Sequence, residues 1–212
     1  MKTHDLIDSL VQEARPVRPL PSPTTLILAF AGATVFVGIA IASIQPRVDL
    51  PKEMQGPSLL AETVLLLVAA FAVVLVPIVL TRPDFRGLRV SLYVGAAAVL
   101  AAVGVMAFRG VWSIGPSWMA WSGLGLFCGT GAVLFSLVPF AGGIWLLRRG
   151  ASVHPVRSGM LMGLASSALG SIAEMWSCDI NAPLHVIPGH VLLPALILGS
   201  IGAWSGSRWL RW

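Results

Sequence analysis

The amino-acid sequence predicts an all-α protein, a polytopic bundle of six transmembrane helices with both chain ends in the cytoplasm. Hydrophobic residues make up 56% of the 212 residues and charged residues 11%, whereas a soluble domain carries roughly 25% charged residues. Long apolar runs alternate with short polar segments, none of which could bury a core of its own. This pattern excludes a soluble globular domain and favours a single membrane bundle.

Three parts are expected along the chain: a cytoplasmic tail over residues 1–23, the bundle over residues 24–208, and a short cytoplasmic end over residues 209–212. The tail begins with a predicted amphipathic helix whose other face is acidic, and a spacer with four prolines between Arg15 and Pro23 follows it. Such a helix can lie on the membrane or dock into a groove of a protein partner. Its apolar face is formed by Leu6, Ile7, Leu10 and Val11.

Each apolar run has about twenty residues or more, which is enough to cross a hydrocarbon core of roughly 30 Å at 1.5 Å per residue. Two prolines, Pro188 and Pro194, shorten the regular part of the last run. The small residues of Gly159-x-x-x-Gly163 predict close helix packing. The expected spans are Thr24 to Ile44, Leu59 to Leu80, Leu88 to Phe108, Trp121 to Leu147, Val156 to Trp176 and Leu184 to Trp204.

The distribution of positive charge predicts the orientation. Of the 14 Lys and Arg residues, only Arg47, Lys52 and Arg109 fall on one side of the predicted bundle. The others lie in the tail, the second and fourth loops and the C-terminus. Because positive loops stay in the cytoplasm, both termini are expected there, in a bacterial inner membrane. The net charge of +5 thus reflects topology, and no direct nucleic-acid binding is expected.

Groups able to carry chemistry are concentrated between Glu174 and His190. A thiolate combined with imidazole suits soft or borderline metals such as zinc, copper or cadmium. The two histidines of this stretch follow its cysteine across Pro183 and an expected turn at Pro188-Gly189. The candidate metal site therefore comprises Cys128 of the fourth span with Cys178, His185 and His190, and Asp179 and Glu174 are further candidates.

Several interpretations of the cysteines remain open on the residues alone. Both are expected near the extracytoplasmic side, where a disulfide between the fourth and fifth helices could persist as a permanent link. A two-thiol sensor and a metal site are the other possibilities, and Cys128 among glycines could also be a small buried hydrophobic residue.

The charged residues of the spans argue against transport. Glu62 and Glu174 are expected close to the extracytoplasmic interface, so no span carries the charged pair of an ion pathway. A small metal or solute transporter, or a membrane metal-binding protein, is nevertheless the alternative function. A thiol oxidoreductase would need a second thiol pair. The sequence lacks a nucleophile elbow, paired catalytic carboxylates and a phosphate loop, so no enzyme and no required cofactor are expected.

A family resemblance adds to this interpretation. The opening Met-Lys-Thr-x-Asp-Leu-Ile-x-x-Leu, the Pro-Val-Arg-Pro-Leu segment, the six predicted spans and the arrangement of Cys128 with Cys178-x-x-x-x-Pro-x-His185 resemble the NrsF-type negative regulators of sigma factor F. The resemblance covers nearly the whole chain. It implies a membrane-bound anti-sigma factor that holds an extracytoplasmic-function sigma factor at the inner face. It also implies a cysteine pair that responds to heavy-metal stress.

The residues and the resemblance together give one expected function. Metal binding or oxidation at Cys128 and Cys178 would shift the helix packing and release the sigma factor. The expected partners are thus a sigma-F-like factor and the lipid bilayer, with a heavy-metal ion as the signal.

Overall fold

The computed structural model describes residues 22–44, 47–80, 88–112, 124–150, 152–180 and 182–211. These residues form helices joined by turns and short extended segments, and they contain no β-strand. The all-α prediction is therefore confirmed for the described chain. The predicted amphipathic helix of the tail, with Leu6, Ile7, Leu10 and Val11, lies outside the described residues.

Proline starts three of the described long helices and one short helix. Pro23, Pro57, Pro155 and Pro183 each occupy the first position of a helix, where the missing N–H would have had no helical acceptor. A π-helical segment, Val186–Leu192, connects the last two α-helices. The α-helices are α1 (Pro23–Ile44), α2 (Leu50–Glu53), α3 (Pro57–Leu80), α4 (Leu88–Trp112), α5 (Leu124–Leu147), α6 (Pro155–Ser177), α7 (Pro183–His185) and α8 (Leu193–Trp209).

Within the described residues, four helical stretches are long and apolar enough to cross a membrane, fewer than the six predicted. They are Pro57–Ile78, Arg89–Phe108, Gly125–Leu147 and Val186–Trp209. In α1 the apolar stretch found is Ile27–Ala40, and α6 is diluted by serine and glycine. The count of six spans is therefore unconfirmed, although the helices themselves occupy nearly the expected positions.

The surface of the bundle is apolar, as a lipid environment requires. Large side chains such as Leu100 and Phe127 are 72% and 76% exposed, and similar residues lie on the outer faces of α1, α4, α5 and α8. An apolar surface of this extent is typical of a membrane protein and atypical of a soluble monomer. The described residues therefore belong to a membrane protein.

Helix α6 lies at the centre of the bundle and contacts α1, α3, α5 and α8. Its residues from Ala165 to Met175 are buried without interruption. Three of its serine hydroxyls donate to carbonyls of the same helix, as Ser171 does to Ser167 at 2.8 Å, whereas the buried hydroxyl of Ser166 has no partner in the described chain. Small side chains and internal hydrogen bonds thus let one helix be covered on all sides.

Glycines bring α6 and α8 into backbone contact, which confirms the packing role predicted for Gly159 and Gly163. A methyl group at Gly159 would collide with the carbonyl oxygen of Gly202, and one at Gly163 would collide with the carbonyl oxygen of Leu198. The two helices can therefore approach only where side chains are absent.

This contact yields a test of the packing. Gly163→Leu should separate α6 from α8 and lower the free energy of unfolding by at least about 1–3 kcal/mol, because the added side chain has no space. Thermal unfolding of the purified protein in detergent measures the effect. Gly142→Leu is the matched control, since no atom lies within 4 Å of a methyl group built at Gly142. Equal stability of the two variants would contradict the described packing.

Candidate metal centre

The structure brings four of the predicted site residues into one buried cluster. Cys128 comes from α5, Cys178 directly follows α6, His185 ends α7 and His190 lies in the π-helical segment. Their ligand atoms all lie within 4.8 Å of one another. We call these four residues the Cys/His cluster. Residues separated by up to 62 positions in the chain thus converge at one end of the bundle.

The distances within the Cys/His cluster match those between ligands of a single ion. The Sγ atoms of Cys128 and Cys178 are 3.6 Å apart, and Cys178 Sγ is 3.6 Å from Nε2 of His185. A tetrahedral ion with bonds of about 2.3 Å to sulfur and about 2.0 Å to nitrogen separates its ligand atoms by about 3.3–3.8 Å. The cluster could therefore take up an ion with small adjustments.

The local backbone explains how Cys178 reaches this position. Its N–H donates to the carbonyl of Glu174 at 2.7 Å, closing the last turn of α6. Its own dihedrals, φ −93° and ψ 129°, are extended, so the chain leaves the helix at this residue. The side chain is thereby placed at the edge of a rigid, buried helix end.

The π-helical segment brings the two histidines together. In an α-helix, residues five positions apart point about 140° away from each other, at about 100° per residue. A π-helix joins residues five apart by hydrogen bonds, which places such a pair on one face. The ring centroids of His185 and His190 accordingly lie 5.1 Å apart, edge to face. The turn expected at Pro188-Gly189 is therefore wrong, because the chain stays helical there.

Glycine contacts hold this segment against α5 beside Cys128. A methyl group at Gly189 would lie 2.8 Å from the carbonyl oxygen of Gly125, and one at Gly129 would lie 2.9 Å from that of Gly189. Both distances are too short for a real side chain. The absence of side chains at these positions is what allows His190 to approach Cys128.

The hydrogen bonding of His190 and the protonation of Cys178 bear on whether the cluster can bind an ion. Neither ring nitrogen of His190 has a hydrogen-bond partner within the described chain, although the residue is only 1% exposed. A buried imidazole without partners in the protein is unusual, and an ion or a water molecule can satisfy it. Burial raises the pKa of the Cys178 thiol, so the thiol is protonated at neutral pH and an ion would have to displace its proton.

The carboxylates predicted near the site occupy three different positions. Glu174 is buried, and its carboxylate lies against Gly131 of α5, three residues after Cys128. Glu62 is also buried and lines a cavity of about 10 Å³ beside Cys178 and His190, which is about the size of one water molecule. Asp179 is exposed and lies outside the cluster of ligand atoms. Both glutamates are thus buried inside the bundle near the end that holds the cluster, and their expected depth near the extracytoplasmic interface stays a prediction.

Arg47 is a site residue that the sequence pattern did not reveal. Its guanidinium donates to the carbonyl oxygen of Cys178 at 3.0 Å, and its N–H donates to that of Trp176 at 3.3 Å. Two further bonds of 2.6 Å each join it to the carboxylate of Asp49, which raises the pKa of Arg47 and lowers that of Asp49. The one signal in the sequence is the Arg47-x-Asp49 spacing, which allows an ion pair. In the sequence analysis Arg47 serves only as one of the loop charges that predict the orientation.

The chemistry open to the cluster is metal ligation or disulfide formation. Both cysteines are free in this structure, and a disulfide between them stays one of the predicted possibilities. Cys128 and Cys178 lie close enough to bridge after a small movement, since disulfide-linked sulfurs are about 2.05 Å apart. Two reversible states of one site are therefore available.

Comparison with known proteins gives one match. The family model described as negative regulator of sigma F, NrsF, matches residues 10–212, nearly the whole chain. No curated protein and no solved structure matches. The family is regulatory and not a class of enzymes, and it implies negative regulation of a sigma factor. A membrane bundle that gathers two cysteines and two histidines at one end is thus a member of the NrsF family of negative regulators of sigma F.

Proposed function

We propose that this protein is an anti-sigma factor that holds an extracytoplasmic-function sigma factor at the inner membrane. It releases that factor when a heavy-metal ion or an oxidant acts on the Cys/His cluster. The observation that carries the proposal is the convergence of four buried ligand atoms within 4.8 Å in a chain of this family. Regulation and detection would thus reside in one bundle.

Metal binding is supported by the composition of the cluster. Two thiols and two imidazoles form a set that suits zinc, cadmium and copper better than magnesium or calcium. The unpartnered ring of His190 adds to this, because a ligand would relieve the cost of burying its two nitrogens without hydrogen bonds. The ion acts here as a signal and not as a resident cofactor.

Oxidation is the second way to switch the same residues. A disulfide between Cys128 and Cys178 would tie the start of α5 to the end of α6, as an ion shared by both sulfurs would. Either event favours one packing of these helices over another, and the regulatory output is the resulting population shift.

The proposed orientation places the cluster outside and the partner inside. Two basic residues, Arg47 and Lys52, lie at the end of the bundle that holds the cluster. Five basic residues lie at the opposite end: Arg148, Arg149, Arg157, Arg208 and Arg211. This asymmetry favours a cytoplasmic location for the end with more positive charge. The proposed topology of six spans with both termini in the cytoplasm agrees with this charge asymmetry.

The partner surface is proposed on the N-terminal tail. Its apolar residues Leu6, Ile7, Leu10 and Val11 would dock on the sigma factor, and its acidic face would meet a basic surface there. The family match begins at residue 10, so it includes the second half of this face. The tail precedes α1, and the proline-rich spacer keeps it clear of the lipid.

Metal binding is tested directly on purified protein. Wild type should bind Cd²⁺, and Cys178→Ser and His190→Ala should weaken binding by about 10-fold or more, because each removes a ligand. Competition with a chromophoric chelator gives the affinities. His154→Ala is the control, since His154 is exposed and precedes α6 at the opposite end. Wild type that bound no ion would contradict the metal arm of the proposal.

The regulatory role is tested in cells. Leu6→Asp with Leu10→Asp should free the sigma factor and raise transcription of its regulon without any inducer, because charges would disrupt the apolar docking face. The regulon transcript level and the amount of protein in the membrane are measured together. Ser9→Asp with Gln12→Asp adds the same charge away from that face and should leave repression intact. An unchanged regulon in the first variant, at normal protein level, would favour the transporter alternative.

A further inference from the structure

The connection between α1 and α3 lies against the Cys/His cluster. Its described part starts at Arg47, three residues after the last residue of α1, and includes the short helix α2. Leu50 and Met54 pack against the apolar core, and Arg47 is 5% exposed. A charged side chain buried to this extent must be held by specific partners. We call residues 47–56 the strap.

The strap holds the backbone on both sides of the cysteine that follows α6. The guanidinium of Arg47 bonds to the carbonyl of Cys178, and its N–H bonds to the carbonyl of Trp176. Asp49 accepts two hydrogen bonds from the same guanidinium, which fixes its plane. The carbonyls at the end of a helix lack partners within the helix, so Arg47 supplies donors where the chain needs them.

The first helix is the least embedded of the long helices that the strap joins. Much of its described surface is exposed, and a methyl group at Gly32 would meet no atom within 4 Å. Its buried contact near the cluster is made by Val37, which packs with Ala173, and by Gly38, which faces the ring of Trp176. Few packing interactions thus oppose a shift of α1, and those near the cluster involve the end of α6.

We propose that Arg47 is a positioning residue that holds Cys178 in its ligand geometry and couples the occupancy of the cluster to the end of α1. The proposal rests on the sensing function proposed above for the cluster. An ion bound to the thiolate of Cys178 would restrict the movement of this residue and of its carbonyl. Because Arg47 donates a hydrogen bond to that carbonyl, the ion would also restrict the movement of the strap. Because coupling between two sites is reciprocal, loosening the strap weakens the ion's binding. Helix α1 follows the tail, so the strap connects the cluster to the segment proposed to bind the sigma factor.

The first test measures ion affinity in the full-length protein in detergent, with Cd²⁺ as the probe. Arg47→Gln should weaken binding by about 10–100-fold, the range typical of residues that orient metal ligands. Arg47→Lys and Asp49→Asn retain a cation at the site but lose the paired hydrogen bonds, and they should give smaller losses. Lys52→Gln removes a charge from an exposed residue of the same strap and should leave the affinity unchanged.

The second test separates positioning from a merely structural role. Hydrogen exchange of residues 40–56 should slow when Cd²⁺ is added to wild type, because the amide of Arg47 donates to Trp176. In Arg47→Gln at saturating Cd²⁺ this slowing should be absent. Residues 193–209 serve as the internal control, and their exchange should be alike in the two proteins.

The outcomes decide the proposal separately from the proposed function. Folded Arg47→Gln with wild-type affinity and wild-type slowing of exchange would overturn the positioning role while leaving the metal site intact. If Arg47→Gln does not fold, unchanged affinity in both Arg47→Lys and Asp49→Asn would overturn it instead. If wild type binds no Cd²⁺, the proposed metal site is contradicted, and the positioning role is then tested by hydrogen exchange at residues 178–186 of the metal-free protein. Equal exchange rates in wild type and Asp49→Asn would overturn the positioning role.

Discussion

The burial of α6 is the constraint on which the remaining structure depends. A helix covered on all sides needs small side chains, which its glycines, alanines and serines provide, and several of its serine hydroxyls bond to carbonyls of the same helix. Because Gly159 and Gly163 allow backbone contact with α8, the end of α6 is held rigidly where Cys178 begins the next segment. A ligand on a rigid element has a defined position, which a loop could not give it.

The cluster at this end combines soft metal ligands with few hydrogen-bond partners. Its thiols and imidazoles are buried, and His190 has no partner in the described chain, so their free energy depends strongly on whether an ion or a disulfide is present. The sulfur and nitrogen atoms of the cluster suit soft ions better than magnesium or calcium, which prefer oxygen ligands. The proposed detection of soft ions and of oxidants would thus use one arrangement of residues.

Hydropathy predicted the helices and their order, because each apolar run is a local property of the sequence. Two of the six predicted spans stay unconfirmed in the described residues, because the apolar stretch of α1 covers only Ile27–Ala40 and α6 owes its place in the bundle to small residues. The pairing of Cys128 with Cys178 could be proposed from composition. The contact of His185 with His190 could not, because it depends on a π-helical segment that the sequence Pro188-Gly189 does not predict. Arg47 was missed because its partners, the carbonyls of Trp176 and Cys178, lie about 130 positions away in the chain.

The coordination shell of a bound ion tests the central claim most directly. X-ray absorption spectroscopy of the zinc-loaded protein should show two sulfur neighbours at about 2.3 Å and two imidazole nitrogens at about 2.0 Å. That shell requires both cysteines and both histidines to bind one ion. A shell of oxygen and nitrogen alone, or with one sulfur, would contradict a single site built from Cys128, Cys178, His185 and His190.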